Sequence, residues 1–158
     1  MSLTVRTPKF RKDRTIPSQF SKDGGNVSPL VKWRGEPPGT RSYALIVEDP
    51  DAPNGTFRHW AAYNIPADTH ELAQGAGSSP QGDAALRTAE NDFGNMGYDG
   101  PQPPPGDSPH HYHFRLFALD VPELDVESDC SAADLLEAAR AHSLAEADTV
   151  GTFARPEG

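Results

Sequence analysis

The chain has 158 residues, of which 35% are hydrophobic, and this length predicts one folded domain over residues 1–158. The formal net charge of −9, from 23 acidic and 14 basic residues, argues against nucleic acid or an anionic membrane surface as a partner. With one cysteine, no signal-like N-terminus and no apolar run of membrane-spanning length, we expect a cytoplasmic protein without disulfides or integral membrane segments.

The predicted elements of the first half are strands. A polar, turn-rich arm over residues 1–30 leads to a first strand from Leu30 to Trp33. The run from Ser42 to Glu48 is almost wholly apolar and stops at Asp49-Pro50, as expected of a strand that is buried on both faces. A further apolar segment, from Phe57 to Ile65, predicts the next strand.

The second half combines a long loop region with two strands and a helix. The stretch from Gln74 to Pro109 is rich in Gly, Pro, Asn and Asp, and long loops of this kind often carry function. Strands are predicted over His110–Leu119 and Thr149–Phe153. Between them lies one helix, for which Asp129 or Ser131 is the candidate N-cap. The sum is a mainly β fold of packed antiparallel sheets.

The strand His110–Leu119 begins with three histidines in four residues. Because successive side chains of a strand point to opposite faces, His110 and Tyr112 share the more apolar face with Phe114. We therefore predict that His110 and Tyr112 point inward, next to the loop region. His111 lies on the opposite face and is predicted to point outward.

His59 and Asp49 are the other candidates for a buried polar site. His59 shares a predicted face with Ala61 and Tyr63 and is expected to point inward. A carboxylate at Asp49, where the buried strand ends, would need a partner, and an imidazole N–H is a good one. The alternatives are that Asp49 and Asp51 only cap a turn and that each histidine is a core residue bonded to a carbonyl.

Several separated motifs together resemble the phosphatidylethanolamine-binding protein family, and the similarity is greatest to its bacterial and archaeal Raf-kinase-inhibitor-like branch. The resemblance covers about residues 28–155 and implies two packed antiparallel sheets with peripheral helices, around a small cavity for phosphate-like or carboxylate anions. In chain order, the motifs are Asp49-Pro50-Asp51-Ala52-Pro53, Phe57-Arg58-His59-Trp60 with Asn64, Asp92-Phe93-Gly94, Gly97-Tyr98-Asp99-Gly100-Pro101 with Pro103-Pro104 and Gly106, and His110-His111-Tyr112-His113-Phe114.

The resemblance also implies which residues form the cavity. An imidazole held by Asp49, a second imidazole from His110, the Tyr112 hydroxyl and loop N–H groups near Gln102 would together hold one anion. Asn54 and Phe57 stand where similar animal proteins have Tyr and Trp, so the mouth of the cavity is expected to differ. The predicted ligand-binding residues are Asp49, Asp51, Phe57, His59, Gln102, Pro103, Pro104, His110 and Tyr112.

Three functions remain open from the sequence. The first is a non-enzymatic anion-binding protein without a cofactor, which would regulate or inhibit a kinase or a protease. The second is a metal-dependent hydrolase or oxygenase, because His59, His110 and Asp49 could form a facial triad. The third is a purely structural module. A homodimer is a further prediction, with Trp33, Trp60 or the sheet edges as the expected contact surface.

Overall fold

The computed structural model describes residues 2–78 and 86–155. Its secondary structure is mainly β and agrees with most of the predicted segments. The strands are β1 (Thr4–Arg6), β2 (Val31–Arg34), β3 (Ser42–Asp49), β4 (Phe57–Pro66), β5 (Glu71–Leu72), β6 (Arg87–Thr88), β7 (His110–Leu119) and β8 (Ser143–Phe153); the helix α1 spans Ala132–Ala141, and a short 3-10 helix spans Ser18–Phe20.

The strands form two antiparallel sheets, as predicted. The small sheet has the order β1-β2-β5, and the large sheet has the order β6-β4-β3-β7-β8. The central strand β3 is buried along its whole length, which confirms the prediction from its continuous apolar sequence. Within the described ranges, no helix is long and apolar enough to cross a membrane.

The large sheet is covered on both faces. One core cluster fills the space between the two sheets and includes Tyr43, Leu45 and Val47 of β3. The second cluster lies between the large sheet and α1 and includes Ala44 and Ile46. Alternation along β3 therefore supplies side chains to both clusters, and each large apolar side chain that is fully buried stabilises the fold by about 1.5–3 kcal/mol.

The helix α1 begins at one of its two predicted caps. The Ser131 hydroxyl accepts a hydrogen bond from the backbone N–H of Asp134 at 3.1 Å, which satisfies one of the free N–H groups of the first turn. Leu135, Leu136 and Ala139 are buried against the sheet, at the spacing of one helix face. The helix packs on the end of the large sheet that lies away from the histidine-bearing ends of β4 and β7.

The sequence missed the structure of the N-terminal arm, the short strands β5 and β6, and the first half of β8. The N-terminal arm contains β1, and its Ile16 and Phe20 are buried in the core, because isolated apolar residues in a polar segment give no periodic signal. Strand β8 begins at Ser143 rather than at Thr149 and pairs with β7 along its length. Residues 143–148 are at least partly exposed on an edge strand, so they lack the apolar pattern of a buried strand.

Both tryptophans lie inside the molecule. Trp33 is 4% exposed and Trp60 is 0% exposed, so the expectation that they offer an exposed contact surface for a homodimer is wrong. Trp33 packs on Tyr43 with a ring distance of 5.4 Å, and Trp60 packs edge-on against Tyr98 at 5.5 Å. Their large aromatic surfaces fill the space between the sheets, where burial is more favourable than exposure.

Candidate functional site

A cavity of about 290 Å³ lies at the edge of the large sheet where β3 ends and where β4 and β7 begin. Antiparallel pairing of β3 with both neighbours brings these three strand ends together. All the predicted ligand-binding residues except Asp51 line the cavity. The lining residues are Asp49, Ala52, Pro53, Asn54, Gly55, Thr56, Phe57, His59, Phe93, Gln102, Pro103, Pro104, His110 and Tyr112.

Asp51 is not part of this lining among the described residues, which corrects the sequence prediction. Its carboxylate accepts hydrogen bonds from the His111 backbone N–H at 2.8 Å and from His111 Nδ1 at 2.7 Å. Its own backbone N–H donates to Asp49 Oδ1 at 2.8 Å. Asp51 thus holds the β3–β4 turn against the start of β7, and the capping role considered from the sequence is correct for this residue.

A β-bulge sets the direction of His59. Val47 pairs with Trp60 and Glu48 pairs with Arg58, so His59 is the extra residue of the bulge. Its ring lies 5.3 Å from that of Tyr112, on the face between the two sheets. The prediction of an inward-pointing His59 is confirmed.

The predicted neighbours of His59 on its face of the sheet are wrong. Ala61 and Tyr63 belong to the core cluster on the helix side, which is the opposite face of the sheet from His59. Regular alternation along β4 would place His59 on the same face as Ala61 and Tyr63. The extra residue of the bulge breaks this alternation, so His59 points to the other face of the sheet.

The backbone of Asp99 determines the protonation of His59. His59 Nδ1 lies 2.9 Å from the Asp99 carbonyl oxygen, and because a carbonyl can only accept, Nδ1 carries the proton. Burial is the main cause that lowers the pKa of His59 below 6.5. At neutral pH His59 is therefore neutral, and its Nε2 is a hydrogen-bond acceptor. In this state His59 presents no N–H to the cavity, in contrast to the donor that the resemblance implied.

Asp99 is itself held by a polar network. Its carboxylate accepts hydrogen bonds from Lys22 at 3.1 Å and from the side-chain amides of Asn26, Asn91 and Asn95, each at 2.9 Å. Burial alone would raise the pKa of Asp99, but these hydrogen bonds lower it below 3.8. The network joins the N-terminal arm to the loop before β7 and so fixes the carbonyl that orients His59.

His110 lies between two carboxylates. Its Nδ1 is 2.6 Å from Asp49 Oδ2, and its Nε2 is 3.0 Å from Asp107 Oδ2. Burial would lower the pKa of His110, but the hydrogen bonds to Asp49 and Asp107 outweigh it and raise the pKa above 6.5. Both ring nitrogens then carry protons, and the ring is an imidazolium. Asp49 thus bonds His110, whereas the resemblance implied that Asp49 holds the other imidazole of the cavity.

The Tyr112 hydroxyl is buried without a hydrogen-bond partner among the described residues. Burial, followed by the charges of Asp49 and Asp51, raises the pKa of Tyr112, so the hydroxyl keeps its proton and can donate. The opposite wall of the cavity is aromatic, with Phe57 in edge contact with Phe93 at a ring distance of 4.7 Å. The cavity thus combines a buried donor that has no partner with an aromatic wall.

The predicted ligand-binding residues lack six lining residues, 52–56 and Phe93, and the two supporting residues Asp99 and Asp107. Phe93 lines the cavity, the Asp99 backbone orients His59 and Asp107 bonds His110. The Asn residues that precede Asp99 were a usable signal, because several amides near one acid suggest a buried carboxylate. Asp107, in the turn Gly106-Asp107-Ser108, has no feature that separates it from an ordinary loop acid.

The geometry does not suit the metal site considered from the sequence. Within the described residues, no group of three His, Cys, Asp or Glu side chains is arranged to hold a metal ion. Asp49 and Asp107 engage both nitrogens of His110, so this ring has no lone pair to give to a metal while those bonds exist. Of the two imidazoles only His59 keeps a lone pair, on Nε2, and one histidine with one carboxylate does not make a facial triad.

A second polar cluster lies on the other face of the same sheet end. Glu48, with a side chain that is 7% exposed, forms ion pairs with Arg115 at 2.6 Å and with Arg58 at 3.3 Å. Since Glu48 and Asp49 are consecutive residues of β3, their side chains point to opposite faces. Glu48 therefore belongs to the face away from the cavity.

Comparisons with known proteins agree with this architecture. The family model for phosphatidylethanolamine-binding protein matches residues 6–154. A UPF0098 protein of Methanothermobacter thermautotrophicus is 42% identical over 156 residues, which cover 97% of this chain and 99% of the relative. Escherichia coli YbhB is 43% identical over 136 residues, covering 83% and 84% of the two chains.

A solved structure has the same fold. The crystal structure of Escherichia coli YbcL superposes with a TM-score of 0.91 at 32% sequence identity and covers 98% of this chain and 99% of that chain. Similarity of this extent, in sequence and in structure, identifies common ancestry rather than a shared architecture alone. The chain belongs to the phosphatidylethanolamine-binding protein family, in the bacterial and archaeal branch that contains YbhB and YbcL.

Proposed function

We propose that this protein is a non-enzymatic binding protein for a small oxyanion, such as phosphate, a phosphomonoester or a carboxylate, and that it needs no cofactor. The observation that carries the proposal is the buried Tyr112 hydroxyl, which lines the cavity without a partner among the described residues. An unpaired buried polar group costs about 1–3 kcal/mol. A ligand oxygen that accepts from this hydroxyl would recover that free energy.

The other polar groups restrict the protonation state of the ligand. His59 Nε2 can only accept while the ring is neutral, whereas the Tyr112 hydroxyl can donate. A ligand with one protonated and one unprotonated oxygen, such as monoprotonated phosphate, matches both groups. A fully ionised ligand would require His59 to take up a proton. The volume of about 290 Å³ is at the lower end of ligand sites, which span about 300–1,000 Å³, and favours a small group.

The side chains of the cavity support binding rather than covalent catalysis. Nucleophilic catalysis by a hydroxyl or a thiol requires a base within hydrogen-bond reach of it. In the described structure the hydrogen-bond partners of His59 and His110 are a carbonyl and two carboxylates. The lining residues that carry a hydroxyl, Thr56 and Tyr112, are not among these partners, and the described lining includes no Ser or Cys. This arrangement orients the rings and does not activate a nucleophile.

A regulatory role is the broader part of the proposal. We infer that ligand-bound protein regulates or inhibits a kinase or a protease in the cytoplasm, as a homodimer. A relative, Mycobacterium tuberculosis LppC, is 37% identical over 153 residues and bears the name of a proposed lipoprotein. Cell fractionation therefore tests the location, and sedimentation tests the dimer: recovery outside the cytoplasm or a monomer would contradict these two inferences.

A titration with inorganic phosphate tests the central proposal. Histidine side-chain NMR signals of His59 and His110 should shift at millimolar phosphate, while the signal of His142, which pairs with Asp120 outside the cavity, should stay in place. Replacement of Tyr112 by Phe should weaken the response. Equal shifts of all histidines would indicate a bulk salt effect, and unchanged signals of His59 and His110 would contradict phosphate binding in the cavity.

A further inference from the structure

The two carboxylates that hold His110 differ in their freedom to move. The Asp49 side chain is 4% exposed, whereas that of Asp107 is 43% exposed. Asp49 Oδ1 also accepts the Asp51 backbone N–H, so this carboxylate is fixed at the end of β3. Asp107 is anchored by its backbone N–H to the Pro104 carbonyl at 3.2 Å, and its carboxylate makes one recorded contact, with His110.

Release of the Asp107 carboxylate requires only a local movement. Asp107 lies three residues before His110, and Gly106, which precedes it, has a φ of +84°, a backbone conformation that glycine adopts without strain. A side chain that is already half in water loses little hydration when it turns outward fully. The Asp49 side chain cannot move in the same way, because a buried carboxylate must keep a hydrogen-bond partner.

The charges around His110 oppose an incoming anion while Asp107 is in place. The His110 imidazolium is flanked by two carboxylates, and His59 is neutral, so the cluster has a net negative charge. When Asp107 turns into solvent, the Asp49–His110 pair is neutral and the Nε2–H of His110 has no partner. An oxyanion that accepts from this N–H must take the position that Asp107 Oδ2 now occupies. Asp107 does not itself line the described cavity, so this position extends the site past His110.

We propose that Asp107 is an internal competitor of the ligand: a small oxyanion binds to His110 Nε2 by replacing the Asp107 carboxylate. This inference rests on the proposed function and adds to it the residue that limits the affinity. The exchange replaces one charge-assisted hydrogen bond by another of the same kind. The net gain on binding is therefore small, and the protein responds to an anion only at a concentration that outcompetes its own carboxylate.

The test is calorimetric titration with inorganic phosphate of the wild type and of Asp107→Asn. Loss of the competing charge should strengthen phosphate binding about tenfold, because the neutral amide competes less well than a carboxylate for the charged N–H of His110. Asp120→Asn is the matched control. Asp120 is also a half-exposed carboxylate, 3.0 Å from a histidine nitrogen, on His142, and its replacement changes the net charge equally without affecting the cavity. Asp107→Ala, which removes the acceptor altogether, should strengthen binding at least as much as Asp107→Asn.

The pKa of His110, measured by NMR without phosphate, separates failure of this inference from failure of the proposed function. It should fall in Asp107→Asn and stay unchanged in Asp120→Asn. If the wild type binds phosphate and Asp107→Asn binds it no more tightly, the competitor role is overturned and the proposed function stands. An equal gain in Asp120→Asn would likewise overturn it, as an effect of net charge. If neither the wild type nor Asp107→Asn binds phosphate, the proposed function fails, and this inference fails with it.

Discussion

At the cavity end of the large sheet, each face has a buried ion between two groups of opposite charge, but the signs of the charges are reversed between the two faces. On one face, the Glu48 carboxylate lies between the guanidinium groups of Arg58 and Arg115. On the other face, the His110 imidazolium lies between the carboxylates of Asp49 and Asp107. Both are buried ions with two partners of opposite charge, and each cluster includes one of two consecutive β3 residues, Glu48 and Asp49.

The two clusters differ in whether their charges and contacts can change. Arginine remains charged at every pH at which a protein is folded, and the side chains of Arg58 and Arg115 are only about one quarter exposed, at 23% and 25%. The Glu48 cluster is therefore a permanent tie between β3, β4 and β7. In the cavity, the imidazole can lose its proton and Asp107 can leave. The cluster suited to a ligand is the one whose members can be replaced.

The largest expected effect is on stability, and it should differ between Asp49 and Asp51, the two carboxylates of the β3–β4 turn. Asp49→Asn should lower the free energy of unfolding by about 3 kcal/mol, because it leaves the buried His110 imidazolium without its fixed partner. Asp51→Asn is the control, since Asp51 contacts His111, whose side chain is 53% exposed, and should cost less than about 1 kcal/mol. Urea denaturation measures both. Equal losses would show that Asp49 serves only as a turn cap.

The loss in Asp49→Asn should also depend on pH. The raised pKa of His110 means that the folded state binds its proton more tightly than the unfolded state. The stability from this pair is fully present below the ordinary pKa of 6.5 and is lost as the pH rises through the raised folded pKa. The gap between wild type and variant should therefore narrow at alkaline pH, and a gap that widens would contradict the imidazolium assignment.

Glu48→Gln should have a smaller effect, which does not vary between pH 5 and pH 8, a range of about three units in which arginine does not titrate. We expect a loss of about 2 kcal/mol in the free energy of unfolding, less than for a fully buried pair because the two guanidinium groups keep some contact with water. Glu71→Gln, which removes an exposed 3.8 Å pair with Lys32, is the control. If the stability loss in Glu48→Gln depended strongly on pH, the Glu48 cluster would not be more permanent than the His110 cluster.

The pKa values of the two cavity histidines should be shifted in opposite directions from the ordinary value. NMR titration should place the pKa of His110 above 6.5 and that of His59 below 6.5. The neutral His59 contributes stability that is fully present above 6.5 and is lost as the pH falls through its depressed folded pKa. If His59 proved to be protonated at neutral pH, it would be an N–H donor after all, and the requirement for a protonated ligand oxygen would no longer hold.

The smallest effect on stability is expected for Tyr112→Phe. Removal of a hydroxyl that has no partner should raise the free energy of unfolding by about 1 kcal/mol, the lower end of the cost of an unpaired buried polar group, but it should weaken phosphate binding about fivefold. Tyr43→Phe is the control, because the Tyr43 hydroxyl donates to the Ala67 carbonyl at 3.3 Å and lies outside the cavity lining. Loss of phosphate affinity in Tyr43→Phe and not in Tyr112→Phe would contradict the assigned donor.

Prediction from the sequence was most successful where local pattern and burial coincide. Alternation along β7 selected His110 and Tyr112 as inward and His111 as outward, and the structure confirms all three. The apolar run of β3 predicted its burial on both faces. The same alternation gave the wrong companions for His59, because a bulge depends on how β4 pairs with β3 and has no signature in the residues of β4 alone.

The sequence of this protein was sufficient for the mainly β fold, the family resemblance and most of the cavity lining, because these follow from strand periodicity and from motifs of adjacent residues. It was insufficient for the protonation of the cavity. His59 is an acceptor because of a carbonyl 40 residues away, and His110 is charged because two carboxylates from separate segments meet it. Hydrogen-bond partners across the fold set the tautomer and charge of an imidazole, so the chemistry of the site emerges only when those segments are packed together.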